Sequence, residues 1–443
     1  MIPKFIHYCW LGGRKESESI QAYDKKILLL TSELYPYLNA NSEIAYRIAR
    51  CLQANYDCDI TIMGYTKTAE DTVPLTSDGL NSINIHSLSK YYSLHLRYRT
   101  SIGRITHYLQ YPDCFRYFLR RKLRDNYAEC KEIIKALQKV LKHERYDCII
   151  AFSYPWSFLE ALTRVKTDIP FIAYKLDPWS NNSNLEYNQR HITDERNADN
   201  AAAAIITTEL IKNDYPYNAG CDILRKIHVL KFPNIINYGN ARNDMFFEPD
   251  QIHCLFAGKL YKSIREPKYT FNLFERLFDK RIVLHVFGYY YNENEPKEQL
   301  PENVIYHGSV SSDEVTILMQ SADILVNIGN SITNMMPSKL LTYFSLGKPV
   351  LNIIKNEECP TLPYMEKYPL GLSVLETDEP TLEDVKRVEQ FILNNKGRSI
   401  PFDTVKELYY DCTPEYVCEK VYEIISKVVK DKKGEIPSNG PII

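Results

Sequence analysis

The run Ala322–Ile354 reads ADILVNIGNSITNMMPSKLLTYFSLGKPVLNII. Ile324–Val326 is a short apolar run of the length of a buried strand. A polar loop follows, carrying Asn327, Gly329, Asn330, Ser331, Thr333 and Asn334. Pro337 suits the first position of a helix, because its fixed φ fits and its missing N–H has no partner to lose there. Leu340, Leu341 and Phe344 fall on one helical face, Gly347 stops the helix, and Pro349 lies just past it. Val350–Ile354 is a second buried strand with Asn352 its one polar residue. The unit is strand–loop–helix–strand in a parallel sheet, and the crossover takes one hand. The helix start offers Ser338 and Lys339 and no acid, although helix N-termini ordinarily recruit Asp or Glu. A hydroxyl, an ammonium and the N–H groups there point to an anion such as phosphate, against the plainer reading of a solvated lysine.

Working outward, the C-terminal side repeats the pattern. Cys254–Ala257 is a strand ending at Gly258, Ile282–Phe287 ends at Gly288, and Val304–His307 ends at Gly308. Ser311 and Glu314 form a capping box for a helix reaching Gln320. Thr381–Leu393 is a helix, and Thr413 caps a last one with Pro414 at its first position. The N-terminal side does the same with strands at Lys26–Thr31, Ile60–Met63, Ile83–His86, Cys148–Phe152, Phe171–Tyr174 and Ile227–Leu230, a further strand ending at Thr207, and helices such as Ser42–Leu52. Strands alternating with helices predict α/β architecture. The expected organisation is two Rossmann-like doubly wound domains, residues 26–245 and 246–404, facing across a cleft. A leader (1–25), a C-terminal helix (405–431) and a disordered tail (432–443) complete it. Ligands bind at the carboxyl ends of such sheets. No G-x-G-x-x-G follows a strand, so a nicotinamide or flavin cofactor is not expected.

Composition narrows the function. The 443 residues are 44% hydrophobic and 25% charged with a net charge of -2, an ordinary globular chain that does not coat nucleic acid with its whole surface. Its 11 cysteines are scattered, with neither a C-x-x-C pair nor zinc spacing, so reduced cysteines are expected. MIPKFIHYCW is too short and polar for a signal peptide, and no eighteen-residue apolar run appears. A cytoplasmic protein is the expectation.

The segments Asn327-Ile328-Gly329-Asn330, Asn334-Met335-Met336-Pro337-Ser338-Lys339-Leu340-Leu341-Thr342-Tyr343 and Gly347-Lys348-Pro349-Val350 resemble the N-x-G-N, PSK-[IL]-F-E-Y and GKP motifs of GT-B glycosyltransferases, in particular the large family-four type and its bacterial polysaccharide relatives. Phe256-Ala257-Gly258-Lys259-Leu260-Tyr261 followed by Ile264-Arg265-x-Pro267 agrees. The likeness spans about residues 26–430 and is motif-level only in the C-terminal half.

The resemblance implies a retaining, metal-independent transferase with a nucleotide sugar as donor, no further cofactor, and a glycan or lipid-linked acceptor in bacterial surface polysaccharide synthesis. Without a metal, cations and backbone N–H groups must hold the departing diphosphate. By resemblance the basic pair is Lys259 and Arg265, with Arg265 and Lys339 acting in catalysis. Gly258, Gly308, Asn330, Asn334, Pro337, Ser338 and Thr342 complete the donor contacts. Asn334 and Thr342 fall where many members carry two glutamates eight residues apart, the second accepting from the donor ribose; threonine brings no charge. On the acceptor side, Asp177 follows a middle strand and is placed to orient or deprotonate a hydroxyl, or to begin the turn before Pro178. The glycine pair that many relatives keep in the first loop is replaced by Tyr37–Asn41.

Two further stretches stand apart. Arg97–Arg124 interleaves Arg97, Arg99, Arg104, Arg116, Arg120, Arg121, Lys122 and Arg124 with aromatic residues against a single acid, Asp113. That mixture suits the anionic inner face of a membrane, with nucleic acid and a plain solvated face as rivals. Ile2-Pro3-Lys4, Ile6-His7-Tyr8-Cys9-Trp10 and Gly12-Gly13 resemble the start of capsular-polysaccharide GT-A glycosyltransferases. The metal-binding Asp-x-Asp of that fold has no counterpart except Asp57-Cys58-Asp59, read as chance. Two alternatives to the transferase remain: a non-catalytic protein that binds nucleotide sugars, and a sugar-nucleotide 2-epimerase of the same fold.

Overall fold

The computed structural model describes residues 24–34, 38–65, 80–85, 127–153, 156–179, 189–215, 217–239, 246–261, 264–290 and 299–434. The segment 1–13, the basic stretch Arg97–Arg124 and the tail from 435 lie outside the described residues. The described chain forms two compact units, one of residues 234–413 and the other of residues 24–233 with 414–434. Each is a parallel sheet with crossover helices, and the fold is α/β with two Rossmann-like domains. No described helix is long and apolar enough to cross a membrane.

The first sheet has seven strands: β1 (Lys25–Glu33), β2 (Cys58–Tyr65), β3 (Asn81–Asn84), β4 (Cys148–Phe152), β5 (Phe171–Lys175), β6 (Ala204–Thr207) and β7 (Ile227–Val229). Their spatial order is β3-β2-β1-β4-β5-β6-β7. The second has six: β8 (Ile252–Ala257), β9 (Ile282–Phe287), β10 (Val304–Gly308), β11 (Ile324–Ile328), β12 (Val350–Ile354) and β13 (Gly371–Leu375), in the order β10-β9-β8-β11-β12-β13. The central strands are buried on both faces, which explains the unbroken apolar runs at Ile27–Leu30 and Ile324–Val326. In both sheets the direction of winding reverses beside the first strand, between β1 and β4 and between β8 and β11. Such a reversal of winding is the usual ligand position in open α/β sheets.

Several boundaries differ from expectation. The third strand lies at Asn81–Asn84, two residues before the expected Ile83–His86. The helix expected to open at Pro337 is α-helical only over Lys339–Ser345. The Pro337 carbonyl accepts from the Leu340 N–H at 3.1 Å, a tight i→i+3 turn that precedes it. Strand β13 and the helix Lys268–Glu275 escape a pattern reading. The first is a partly exposed edge strand, and Pro267 before the second supplies no side-chain cap. The last helix, Pro414–Gly434, leaves the second unit and packs on the helix Ala40–Tyr56 of the first. Tyr422 stacks on Tyr56 with ring centroids 4.3 Å apart. The Asp57-Cys58-Asp59 triplet is structural: Asp57 closes the helix Ala40–Tyr56 in the left-handed region at φ 47, and Asp59 lies 3.5 Å from Lys26.

Candidate functional site

The crevice between β8 and β11 is built from backbone first. At the end of β8 the Ala257 N–H donates to the Tyr343 hydroxyl at 3.0 Å, and that hydroxyl donates to the Ala257 carbonyl at 3.2 Å. Buried Tyr343 therefore ties the helix Lys339–Ser345 to the strand end. Beyond Gly258, the Arg265 N–H donates to the Tyr261 carbonyl at 2.9 Å and turns the chain back. The Ser331 N–H donates to the Ile264 carbonyl at 2.7 Å, joining the loop after β8 to the loop after β11. Ser345 accepts from the Ile236 N–H at 3.1 Å and donates to the Asn234 carbonyl at 3.0 Å, while Asn234 Nδ2 donates to the Ser338 carbonyl at 3.2 Å.

Arg265 spans the crevice. Its Nε and Nη2 donate to Asn330 Oδ1 at 3.1 and 2.8 Å, and its Nη1 donates to the Lys259 carbonyl at 3.3 Å. Asn330 is buried and fixed in turn by donating from Nδ2 to the Met335 carbonyl at 2.9 Å. The guanidinium is half-buried, and every acceptor it meets among the described residues is a neutral oxygen. Burial pulls its pKa below the ordinary arginine value, with Tyr261 and Tyr343 opposing the shift. Arginine stays protonated regardless, so the group is a cation with no counter-ion among the described residues, and three engaged N–H groups of its five leave two for a ligand. Lys259 is also half-buried and makes no ion pair among the described residues; its Nζ lies 5.1 Å from the centroid of the Tyr261 ring.

Gly258, Lys259, Arg265 and Asn330 thus come together through direct bonds or chain adjacency. Gly308 closes β10, two strands away from Gly258, and accepts from the Gly288 N–H at 2.7 Å. Pro337 is buried, whereas Asn334, Ser338 and Lys339 are half-buried along the loop and helix that follow β11. Thr342 is buried on that helix beside Tyr343. The helix has no acid in its first turn but is only seven residues long, so its dipole adds little. Sequence reading missed Tyr343, which looks like a core aromatic in the pattern. It also missed Asn234, a linker residue in the sequence.

Asp177 belongs to the other unit. It follows β5, and its Oδ2 accepts from Asn41 Nδ2 at 2.9 Å. Asn41 lies in the first turn of the helix Ala40–Tyr56, after β1, so the bond reaches over β4 at the β1/β4 reversal. Burial raises the Asp177 pKa above the usual carboxylate value, and the Asn41 bond opposes it. The strand leading there is anchored by Lys175, whose Nζ donates to Glu195 at 2.8 Å and to Asp199 at 2.7 Å, all three being buried. Tyr217 donates to the same Asp199 oxygen at 2.5 Å. Burial alone would depress the Lys175 pKa; Asp199 and Glu195 carry it above the ordinary value. That lysine holds the helix Gln189–Ala201 against β5.

No family model matches the chain, and no curated protein matches it. Solved structures do share its fold over nearly its whole length. Sucrose-phosphate synthase from Thermosynechococcus elongatus superposes with a TM-score of 0.59 at 10% identity, covering 92% of this chain and all of that one. HepE of Anabaena, solved in complex with UDP, gives 0.53 at 11% identity over 92% of this chain and 100% of its own. WaaG, a glycosyltransferase involved in lipopolysaccharide biosynthesis, gives 0.50 at 12% identity with the same coverage. At such identities the likeness is one of fold. The chain has the two-Rossmann-domain architecture found in GT-B glycosyltransferases.

Proposed function

We propose that the protein is a glycosyltransferase that moves a sugar from a nucleotide-sugar donor to a glycan or lipid-linked acceptor in bacterial surface polysaccharide synthesis. The single observation that carries the reading is Arg265: a half-buried guanidinium at the β8/β11 reversal, oriented by Asn330 and the Lys259 carbonyl, with no acid paired to it among the described residues. A buried cation ordinarily has a partner, and a diphosphate would supply one.

In this reading the bond from the anomeric carbon to the β-phosphate oxygen breaks, the diphosphate leaves with that electron pair, and the acceptor hydroxyl oxygen forms the new bond. Arg265, Lys259 and Lys339 stabilise the leaving charge; Gly258, Gly308, Asn330, Asn334, Pro337, Ser338 and Thr342 line the donor. Asp177 orients the acceptor hydroxyl or takes its proton. Metal independence, retention of the anomeric configuration and docking of Arg97–Arg124 on an anionic inner membrane face are parts of the proposal that rest on the sequence. Removing one charge-stabilising donor from such a site lowers the rate by about 3 kcal/mol, so Arg265→Ala should release UDP or GDP from nucleotide sugars at least a hundredfold more slowly than the wild type. Equal release by both sinks the reading. Thr342, uncharged on the helix Lys339–Ser345, supports a second reading as a non-catalytic nucleotide-sugar binder. Tight donor binding with no release under any acceptor would favour it.

A further inference from the structure

The three strand-end glycines lie side by side. Gly258 donates its N–H to the Phe287 carbonyl at 2.9 Å, and Gly288 donates to the Gly308 carbonyl at 2.7 Å. Gly288 has φ +130, and a Cβ there would stand 1.8 Å from the Gly258 oxygen, so no side chain fits. A Cβ on Gly308 would meet nothing within 4 Å. The result is a row of bare backbone running outward from the Arg265 crevice over β8, β9 and β10, open at its far end.

Tyr289 follows the middle glycine. Its carbonyl accepts from the Leu260 N–H at 2.9 Å, which places it across the ladder from the residue after Lys259. Its neighbours are used structurally: Tyr306 donates to the Gly288 carbonyl at 2.6 Å, and buried Tyr290 meets Tyr306 edge-on at 6.1 Å. Tyr289 is 47% exposed, and among the described residues its ring stacks on no aromatic and its hydroxyl bonds to nothing. A flat ring in register with Lys259, at a glycine row that leads from the Arg265 guanidinium and is too bare to obstruct a ligand, suits a planar heterocycle carrying an anionic tail.

We infer that Tyr289 is the stacking platform for the base of a nucleoside diphosphate whose phosphates lie at Arg265 and Lys259. This rests on the donor reading above and adds the base-recognising residue to it. Stacking accepts any base, so the platform by itself does not choose among nucleotides.

The test compares inorganic pyrophosphate with UDP and GDP by calorimetric titration of the full chain. Tyr289→Ala should weaken the tighter-binding nucleotide about tenfold while leaving pyrophosphate affinity unchanged, and Tyr289→Phe should bind both like the wild type. Arg265→Ala should weaken pyrophosphate and nucleotide alike. Unchanged nucleotide affinity in Tyr289→Ala overturns the platform, as does an equal loss of pyrophosphate. Wild-type protein that binds neither pyrophosphate nor nucleotide overturns the donor site itself, and the platform with it.

Discussion

Two side chains in these units run against the rule that buried charge is paired. Arg265 is a cation held by neutral oxygens, and Asp177 is a carboxyl in a desolvated position with one amide donor. Such arrangements reduce stability and persist where binding or catalysis needs them. A carboxyl whose folded pKa is raised binds a proton more tightly in the folded than in the unfolded state. Its destabilising effect is therefore absent below the unfolded value, grows as pH rises from there through the raised folded value, and is complete above that. Asp177→Asn should accordingly raise the thermal midpoint at pH 7 and have little effect at pH 3, while abolishing transfer. Scanning calorimetry at the two pH values checks it; a variant destabilised at pH 7 would mean the carboxylate is a structural anion. Arg265 and Lys259 were singled out in the sequence because the resemblance to the family motif marks them. The bond from Asn330 to Arg265 was not, since the two lie 65 residues apart and meet only through the sheet order.

Among the elements, strands β8, β9 and β10 carry a feature that the sequence did not announce. His253 Nδ1 lies 3.0 Å from His285 Nε2, and His285 Nδ1 lies 2.9 Å from His307 Nε2. His253 Nε2 lies 2.8 Å from the Glu248 carbonyl, which can only accept, so Nε2 of His253 carries the proton and its Nδ1 accepts. The same logic passes along the chain and makes all three neutral Nε2–H tautomers. Phe246, Phe247 and Phe287 pack around them. Burial, then His307 and His253, lower the His285 pKa to about 3. A histidine depressed in the folded state contributes fully above its unfolded pKa, near 6.5, and that contribution is lost as pH falls from there toward about 3. Between pH 6.5 and pH 5 the loss should be about 2 kcal/mol, or about 4–8 °C in Tm. His285→Gln, which keeps a donor and an acceptor but does not titrate, should flatten that slope. A slope unchanged in the variant would assign the acid sensitivity elsewhere.

For the whole molecule, the consequential fact is the path of the last helix. Pro414–Gly434 comes last among the described residues yet belongs to the unit of residues 24–233. Val417, Cys418, Val421 and Ile425 are all fully buried there. Each such side chain contributes about 1.5–3 kcal/mol, a sum comparable with the whole stability of a domain. Ending the chain at Thr413 should therefore unfold residues 24–233 and leave 234–413 folded. Hydrogen exchange followed by mass spectrometry would show protection lost from β1–β7 and kept in β8–β13; intact protection in both units would contradict the assignment.

What the amino-acid order fixed unaided was local and periodic: buried strands as apolar runs, their alternation with helices, and the strand-end glycines. Those follow from backbone geometry and side-chain polarity over a few residues, whereas Lys259 and Arg265 stood out only through the family resemblance. The tertiary structure decided which strand neighbours which, and so put Arg265 on Asn330, Asn41 on Asp177, three histidines in line, and the final helix on the first unit. Pairing of that kind depends on how the sheets wind and close their cores, and no window along the chain contains it.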